Sequence, residues 1–179
     1  GDNFWGYQAH GITPDILTFA KGVGNGLALG GVVASAEVMN SLPANSLSTF
    51  GGNPLSSAGA LATIQYMLDN DLQGNSKQMG ARLEGLLRPA AEACPSVGEL
   101  RGRGLMLAFE MVRPGTNEPD ADAAARLLEA ARSRGVLIGK GGLYGNVLRI
   151  APPMTVTPDE IDEAGETIAA ALGSLMEAS

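Results

Sequence analysis

Two short apolar runs near the start of the chain predict two β-strands. Ile16–Ala20 is apolar for most of its length, and Gly30–Ser35 combines small and β-branched residues. Turn-forming residues lie at Thr13–Asp15, before the first run, and at Gly22–Gly26, after it. Such runs are typical of strands in the middle of a large sheet whose two faces are both covered. We therefore predict that both strands are buried.

Apolar positions at helical spacing predict four long helices and one short helix. The first long helix opens at Asn53-Pro54, an N-cap followed by proline at the first helical position, and Asp69–Asp71 ends it. The last opens at Thr157–Glu160, which has the sequence of a capping box. The remaining helices are predicted at about Gln73–Cys94, Asp120–Arg134 and, for the short one, Glu37–Leu42. The residues expected to form the apolar faces are Leu55, Ala58, Leu61, Ala62, Ile64, Gln65 and Leu68 in the first long helix, Met79, Leu83, Leu86 and Leu87 in the second, Ala124, Leu127, Leu128 and Ala131 in the third, and Ile161, Ile168, Leu172 and Leu175 in the last.

Short strands alternate with these helices in the second half of the chain. The predicted strands are Val97–Leu100, Leu105–Val112, Val136–Ile138 and Val147–Ile150, and a glycine-rich loop is predicted at Gly139–Gly145. This mixture predicts a small α+β domain over residues 71–179. The break near residue 70 is the predicted domain boundary, so residues 1–70 are assigned to a different domain.

The composition fits a globular protein and excludes some partners. The chain has 179 residues, of which 45% are hydrophobic, and 12 basic against 19 acidic residues give a net charge of −7. Nucleic acids and anionic membranes attract clustered Lys and Arg, so neither is an expected partner. Cys94 has no second cysteine to pair with, which suits a cytoplasmic protein, and we expect it to pack as a small apolar residue. No cluster of Cys and His predicts a metal site.

Lys21 is the first candidate for chemistry. It ends the strand Ile16–Ala20 and precedes a sharp glycine turn. Desolvation at the end of a buried strand disfavours an ammonium group and makes the amine a better nucleophile toward a carbonyl. Glycine backbone lets a flat cofactor come close. The alternative interpretation is a solvated lysine in an ordinary turn.

Several motifs, in order along nearly the whole chain, resemble the class III aminotransferases. These enzymes use pyridoxal phosphate (PLP) on the α/β scaffold called fold type I, and the likeness is to the alanine–glyoxylate and 4-aminobutyrate types. Ala28 departs from the pattern, because many members have proline there. The motifs are Asn3–Gln8, Gly11–Ile16, Lys21–Gly26, Ser48–Pro54, Arg101–Met106 and Leu148–Pro153.

The resemblance implies a role for each candidate residue. Lys21 matches the Schiff-base lysine of the family, which holds PLP and then moves the substrate proton. Ser48 and Thr49 match the segment that binds the PLP phosphate, with Thr49 serving the neighbouring subunit of a homodimer. Arg149 matches the arginine that binds the substrate carboxylate. An ordinary structural ion pair is the alternative for Arg149, and His10 is expected to be structural or solvated.

The resemblance also implies that the chain is the C-terminal part of a longer enzyme. On this interpretation residues 1–70 end the PLP-binding large domain and include a linking helix, and residues 71–179 form the small C-terminal domain. Without the strands that would flank them, residues 1–50 are expected to be disordered, rearranged or paired with a second chain. The predicted reaction is amino transfer between a small amino acid and a 2-oxo acid. Transfer from 4-aminobutyrate or ornithine, an aminomutase reaction, and an inactive packing or dimerisation module remain alternatives.

Overall fold

A computed structural model describes residues 1–177, and these residues form two compact units. The N-terminal unit comprises Asn3–Asp71. The C-terminal unit begins at Leu72 and also includes Gly1–Asp2. None of the helices in residues 1–177 is both long and apolar enough to cross a membrane.

The N-terminal unit contains the two predicted strands. β1 (Ile16–Ala20) and β2 (Gly30–Ala34) pair antiparallel in a two-stranded sheet, which confirms both strands. Their predicted burial is wrong: Ile16 is 54% exposed and Val33 is 56% exposed. The residues pair through backbone hydrogen bonds, but within this unit the two faces of the sheet are not covered enough to bury a side chain of either strand.

Two helices follow in the same unit. α1 (Ala36–Asn40) matches the short predicted helix, and α2 (Pro54–Asp69) matches the first long one. The Asn53 side chain accepts a 3.0 Å hydrogen bond from the Ser56 backbone N–H, as expected of an N-cap. The apolar face predicted for α2 is not buried, since Leu55 and Leu61 are 70% and 68% exposed. Periodicity identified the helix correctly but did not reveal that little packs against it in this unit.

The C-terminal unit is built on a four-stranded antiparallel sheet. Its strands lie in the order β3-β4-β6-β5, and three helices accompany them. The bounds are α3 (Leu72–Ala93), β3 (Val97–Arg103), β4 (Met106–Met111), α4 (Ala121–Ser133), β5 (Gly139–Gly141), β6 (Val147–Ile150) and α5 (Pro158–Glu177).

One face of this sheet packs against the helices to form the core. On β4 the side chains of Leu107, Phe109 and Met111 are buried, and on β6 those of Leu148 and Ile150 are buried. The helices contribute most of the apolar residues predicted from their periodicity, although Leu86 and Leu128 are only partly buried. The buried ones are Met79, Leu83 and Leu87 from α3, Ala124, Leu127 and Ala131 from α4, and Ile161, Ile168, Leu172 and Leu175 from α5.

Polar contacts fix the ends and the pairing of these helices. The Glu160 carboxylate accepts a 2.8 Å hydrogen bond from the Thr157 backbone N–H, and the Glu160 backbone N–H donates to the Thr157 hydroxyl, which confirms the capping box. Arg82 on α3 donates two 2.5 Å hydrogen bonds to the Asp162 carboxylate on α5. Cys94 follows α3 directly and is buried, as predicted.

One predicted strand is wrong. Val136–Ile138 is not a strand, and the pairing instead begins at Gly139, inside the segment predicted to be a loop. The Val136 N–H donates to the Ala131 carbonyl at the end of α4, so it closes the helix rather than joining a ladder. Gly139–Gly141 then lies beside β6. Hydrophobicity pointed to Val136–Ile138, but the position of this edge strand is determined by backbone pairing with β6, which involves Gly139–Gly141.

Candidate active site

The backbone holds Lys21 in an unusual conformation at the end of β1. Lys21 begins a 3₁₀ turn, Lys21–Gly24, and its φ angle is +58°. This left-handed conformation costs a non-glycine residue roughly 1–2 kcal/mol, so it needs support from the surrounding turn. That support includes hydrogen bonds from the Asn25 N–H to the Gly22 carbonyl and from the Leu27 N–H to the Gly24 carbonyl.

The lysine lines a cleft within the N-terminal unit. The cleft has a volume of about 640 Å³ and is lined by Ala20–Lys21, Leu27–Gly30, Ser48 and Phe50–Gly52. A second depression of about 430 Å³ adjoins Lys21 along the glycine turn. The chain therefore brings Lys21 and Ser48 to one cavity, whereas Thr49 is exposed and is not among the lining residues.

The expected desolvation of Lys21 is not found. Lys21 is exposed, because the sheet that it ends is not covered within this unit. His10 is also exposed, at the end of the turn Gly6–His10. Within the described residues, the placement of Lys21 therefore depends on its backbone turn and its cleft rather than on burial.

Arg149 lies on β6, in the C-terminal unit, on the face of the sheet opposite the core. We call this the open face, defined by Arg101, Ala108, Glu110 and Arg149. Leu148 and Ile150, on either side of Arg149 along the strand, are buried, whereas Arg149 is exposed. It is paired with Ala108 on β4 and with Gly139 on β5. Its two cross-strand neighbours are thus the smallest side chains available, which leaves room around the guanidinium.

No ion pair to Arg149 is present among the described side chains of residues 1–176. Glu110, a carboxylate on the open face, accepts a hydrogen bond from Arg101. Arg149 also lines a cavity of about 400 Å³ with Gly139, Ala151–Pro153 and Glu160, whose carboxylate accepts hydrogen bonds from Thr157. An arginine that forms no ion pair within the described residues is suited to binding an external carboxylate.

The arrangement around Arg101 was not predicted from the sequence. Arg101 donates to Glu99 at 2.9 Å and to Glu110, and the hydrogen bond to Glu110 is the main cause that raises the pKa of its guanidinium. Arg103 forms a separate pair with Asp2 at 2.6 Å. The signal available was the tight turn at Gly104, which fixes the register of β3 against β4 and places Arg101 opposite Ala108.

Comparison with known proteins identifies the family. The family model described as aminotransferase class-III matches residues 1–172. The chain belongs to the class-III aminotransferase family. Members of this family depend on PLP, so the predicted cofactor is that of the family. This confirms the resemblance drawn from the sequence motifs.

The curated relatives in this family include two of the predicted types. The chain is 42% identical over 162 residues to alanine–glyoxylate aminotransferase 2 homolog 2, mitochondrial, of Arabidopsis thaliana, covering 89% of this chain and 34% of that protein. It is 38% identical over 166 residues to 4-aminobutyrate aminotransferase of Mycobacterium bovis, covering 92% of this chain and 37% of that protein. The chain thus spans about a third of the length of the curated relatives that it matches.

Similarity to solved structures confirms the predicted fold class. A Bacillus anthracis aminotransferase superposes with a TM-score of 0.88 at 29% identity, covering 97% of this chain and 42% of that chain. A phospholyase from Arthrobacter in complex with phosphoethanolamine has the same TM-score at 34% identity, covering 95% of this chain and 41% of that chain. The α/β prediction is therefore correct, and the chain corresponds to about two-fifths of these structures.

Proposed function

We propose that this chain works as part of a PLP-dependent transaminase that moves an amino group between a small amino acid, alanine or similar, and a 2-oxo acid such as glyoxylate or pyruvate. The observation that carries the proposal is Lys21, held at a strand end in a left-handed conformation and lining a cleft that also includes Gly30, Gly51 and Gly52. Family membership and the similarity to an alanine–glyoxylate aminotransferase homolog support it.

The residues of the cleft fit the cofactor. A volume of about 640 Å³ lies in the usual range for cofactor sites, and its walls are mostly small residues that let a flat ring approach the backbone. Lys21 offers the primary amine that a PLP aldehyde requires, and the Ser48 hydroxyl offers a donor for a phosphate oxygen. When bound, PLP supplies the electron sink that stabilises negative charge at the substrate Cα.

Each candidate side chain has one task in this proposal. Lys21 Nζ would hold the cofactor covalently and, once displaced by the substrate amine, would take the proton from the substrate Cα. Its tether keeps the amine beside the bond that breaks. Ser48 and Thr49 would donate hydrogen bonds to the cofactor phosphate, with Thr49 serving the neighbouring subunit. Arg149 would bind the substrate carboxylate through two parallel hydrogen bonds.

A homodimer with a shared active site is part of the proposal. The exposed apolar side chains of the N-terminal unit, which include Ile16, Leu55, Leu61 and Phe50, support an interface there. We also propose a cytoplasmic location, for which the single buried cysteine is compatible evidence. The first relative carries the word mitochondrial in its name, so cell fractionation is the relevant test.

The proposal is tested by replacing Lys21 in the whole, PLP-loaded protein. Lys21→Ala should reduce alanine-to-glyoxylate transamination by at least roughly 10²–10⁴-fold, the usual contribution of a positioned general base. Lys77→Ala is the matched control, because Lys77 is exposed on α3 in the other unit and should leave turnover unchanged. Normal turnover in Lys21→Ala would reject the assignment.

The same assay separates the alternative functions. Alanine, 4-aminobutyrate, ornithine and phosphoethanolamine are offered in turn, the last because the chain is similar to a phospholyase. Amino transfer to glyoxylate predominantly from alanine supports the proposal, and release of phosphate from phosphoethanolamine would replace it. Isomerisation of an amino acid without a 2-oxo acid would indicate an aminomutase. An active whole protein with an inactive 179-residue chain would assign the chain alone to packing or dimerisation.

A further inference from the structure

The open face of the C-terminal sheet places three charged side chains around one alanine. Ala108 on β4 is paired with Arg101 on β3 and with Arg149 on β6. Glu110 lies two residues beyond Ala108 on the same face. The two arginines therefore lie on either side of β4. The Glu110 carboxylate belongs to the strand between them.

The register places Glu110 diagonal to either arginine, although the Arg149 guanidinium itself lies beside Gly139 on β5 in this structure. Strand spacing places each arginine backbone about 5 Å from Ala108, and diagonal neighbours across a strand pair lie about 7–8 Å apart, a separation that long side chains span. Glu110 is diagonal to Arg101 on one side and to Arg149 on the other. The methyl group of Ala108 is too short to separate them.

In the structure, Glu110 is hydrogen-bonded to Arg101 and not to Arg149. The Glu110 carboxylate accepts from Arg101 Nη1, and the same nitrogen also donates to Glu99. Arg149 has no anionic partner within the described residues. Glu110, the open-face carboxylate that is diagonal to Arg149, is thus already hydrogen-bonded to Arg101.

We propose that Arg101 is a positioning residue that holds Glu110 away from Arg149 and so keeps the Arg149 guanidinium free for the substrate carboxylate. This inference rests on the proposed role of Arg149 in substrate binding. Without Arg101, Glu110 becomes an anion permanently tethered near Arg149. A tethered carboxylate competes with a dissolved one at a high effective concentration, so substrate binding weakens.

The test compares Arg101→Gln, Glu110→Gln and the double variant in the whole, PLP-loaded protein. Arg101→Gln should raise the KM for L-alanine roughly three- to tenfold with little change in kcat, as expected for competition by one partly exposed ion pair. The double variant should restore the KM, because the competing carboxylate is gone. L-alaninamide, which has no carboxylate, is the matched substrate whose KM should not respond to any of these changes.

A crystal structure of Arg101→Gln provides a readout independent of activity. It should show the Glu110 carboxylate bonded to Arg149. An elevated KM that the double variant does not restore would overturn the proposal, since a merely structural loss at Arg101 would persist.

Comparison with Arg149→Lys separates this inference from the proposed function. If Arg149→Lys raises the KM for L-alanine and Arg101→Gln does not, the substrate role of Arg149 stands and the role of Arg101 is rejected. If neither variant changes the KM, the substrate role of Arg149 fails and the inference fails with it.

Discussion

The two units use apolar residues in opposite ways. In the C-terminal unit the apolar face of each helix meets one face of a four-stranded sheet, and Leu83, Leu87 and Phe109 are completely or almost completely buried. In the N-terminal unit β1 and β2 pair only with each other, and α2 leaves Leu61 largely in solvent. Both units are rich in apolar runs, so the difference lies in whether a second layer is present. Apolar periodicity identifies an element, but only a partner layer turns it into a core.

The two units also differ in how they support the residues proposed for the chemistry. The N-terminal unit carries the proposed cofactor residues on a turn and a loop, where backbone conformation does most of the positioning. The C-terminal unit carries Arg149 on a strand whose other face is anchored in the core. A residue that must bind one carboxylate in a fixed orientation benefits from that rigid support.

Hydrogen exchange should show the largest difference between the units. In the 179-residue chain, amides paired in β4 and β6 should be protected at least ~10³-fold more than those in β1 and β2, because an isolated strand pair opens at little cost whereas core strands open with global unfolding. Mass spectrometry of peptic peptides measures both segments in one sample. Equal protection of the two sheets would show that the comparison is wrong.

Two matched leucine truncations should differ in unfolding free energy. Leu87→Ala in α3 should lower the free energy of unfolding by about 2–5 kcal/mol, because Leu87 is 0% exposed in the core. Leu61→Ala in α2 should change it by no more than about 0.5 kcal/mol in the same chain. Urea denaturation monitors both variants. If Leu61→Ala greatly lowers the free energy of unfolding of a dimeric whole protein but not of this chain, the layer that covers α2 is supplied by the rest of that protein.

The two faces of β6 should separate binding from stability. Arg149→Lys should weaken binding of L-alanine by on the order of 1–3 kcal/mol through loss of bidentate geometry, while the melting temperature stays unchanged. Leu148→Ala, on the buried face, should lower the melting temperature. If Arg149→Lys lowers stability and leaves the KM unchanged, the guanidinium has a structural role instead.

The smallest effect is expected at the exposed pair between α3 and α5. The hydrogen bonds from Arg82 hold the pKa of Asp162 below its ordinary value, so the folded state favours the ionised carboxylate. The pair therefore stabilises the fold above the ordinary aspartate pKa of about 4, and this stability is lost as the pH falls through the lower, folded-state pKa. Asp162→Asn should lower the melting temperature slightly at pH 7. The difference in melting temperature between this variant and the unmodified chain should become smaller in acid. Glu163→Gln, on the same helix, is the control and should have the melting temperature of the unmodified chain at either pH.

Local signals in the sequence were sufficient for most elements. Asn53-Pro54 and Thr157–Glu160 located two helix starts because capping depends on residues within one turn. Burial of β1 and of α2 was predicted wrongly because it depends on distant layers that no local pattern reports. The edge strand Gly139–Gly141 was missed for a related reason: glycines carry no apolar signal, and the strand exists through pairing with β6.

From the sequence, the candidate site residues could be proposed only one at a time. Lys21 and Arg149 stood out from their neighbours in the sequence, Lys21 before a glycine turn and Arg149 inside an apolar strand. The arrangement of Arg101 and Glu110 around Arg149 was not predicted, since it requires the register of three strands at once. Family motifs supplied the chemistry, and the structure added which charges neutralise each other.

The most direct test of the central claim is to find which lysine holds PLP. The chain contains three lysines, Lys21, Lys77 and Lys140, so the result is unambiguous within it. The whole, PLP-loaded protein is reduced with borohydride, digested and mapped by mass spectrometry, which requires no catalytic turnover. The account predicts a stable pyridoxyl phosphate adduct on Lys21. An adduct on another lysine with Lys21 unmodified, or no adduct at all, would contradict it.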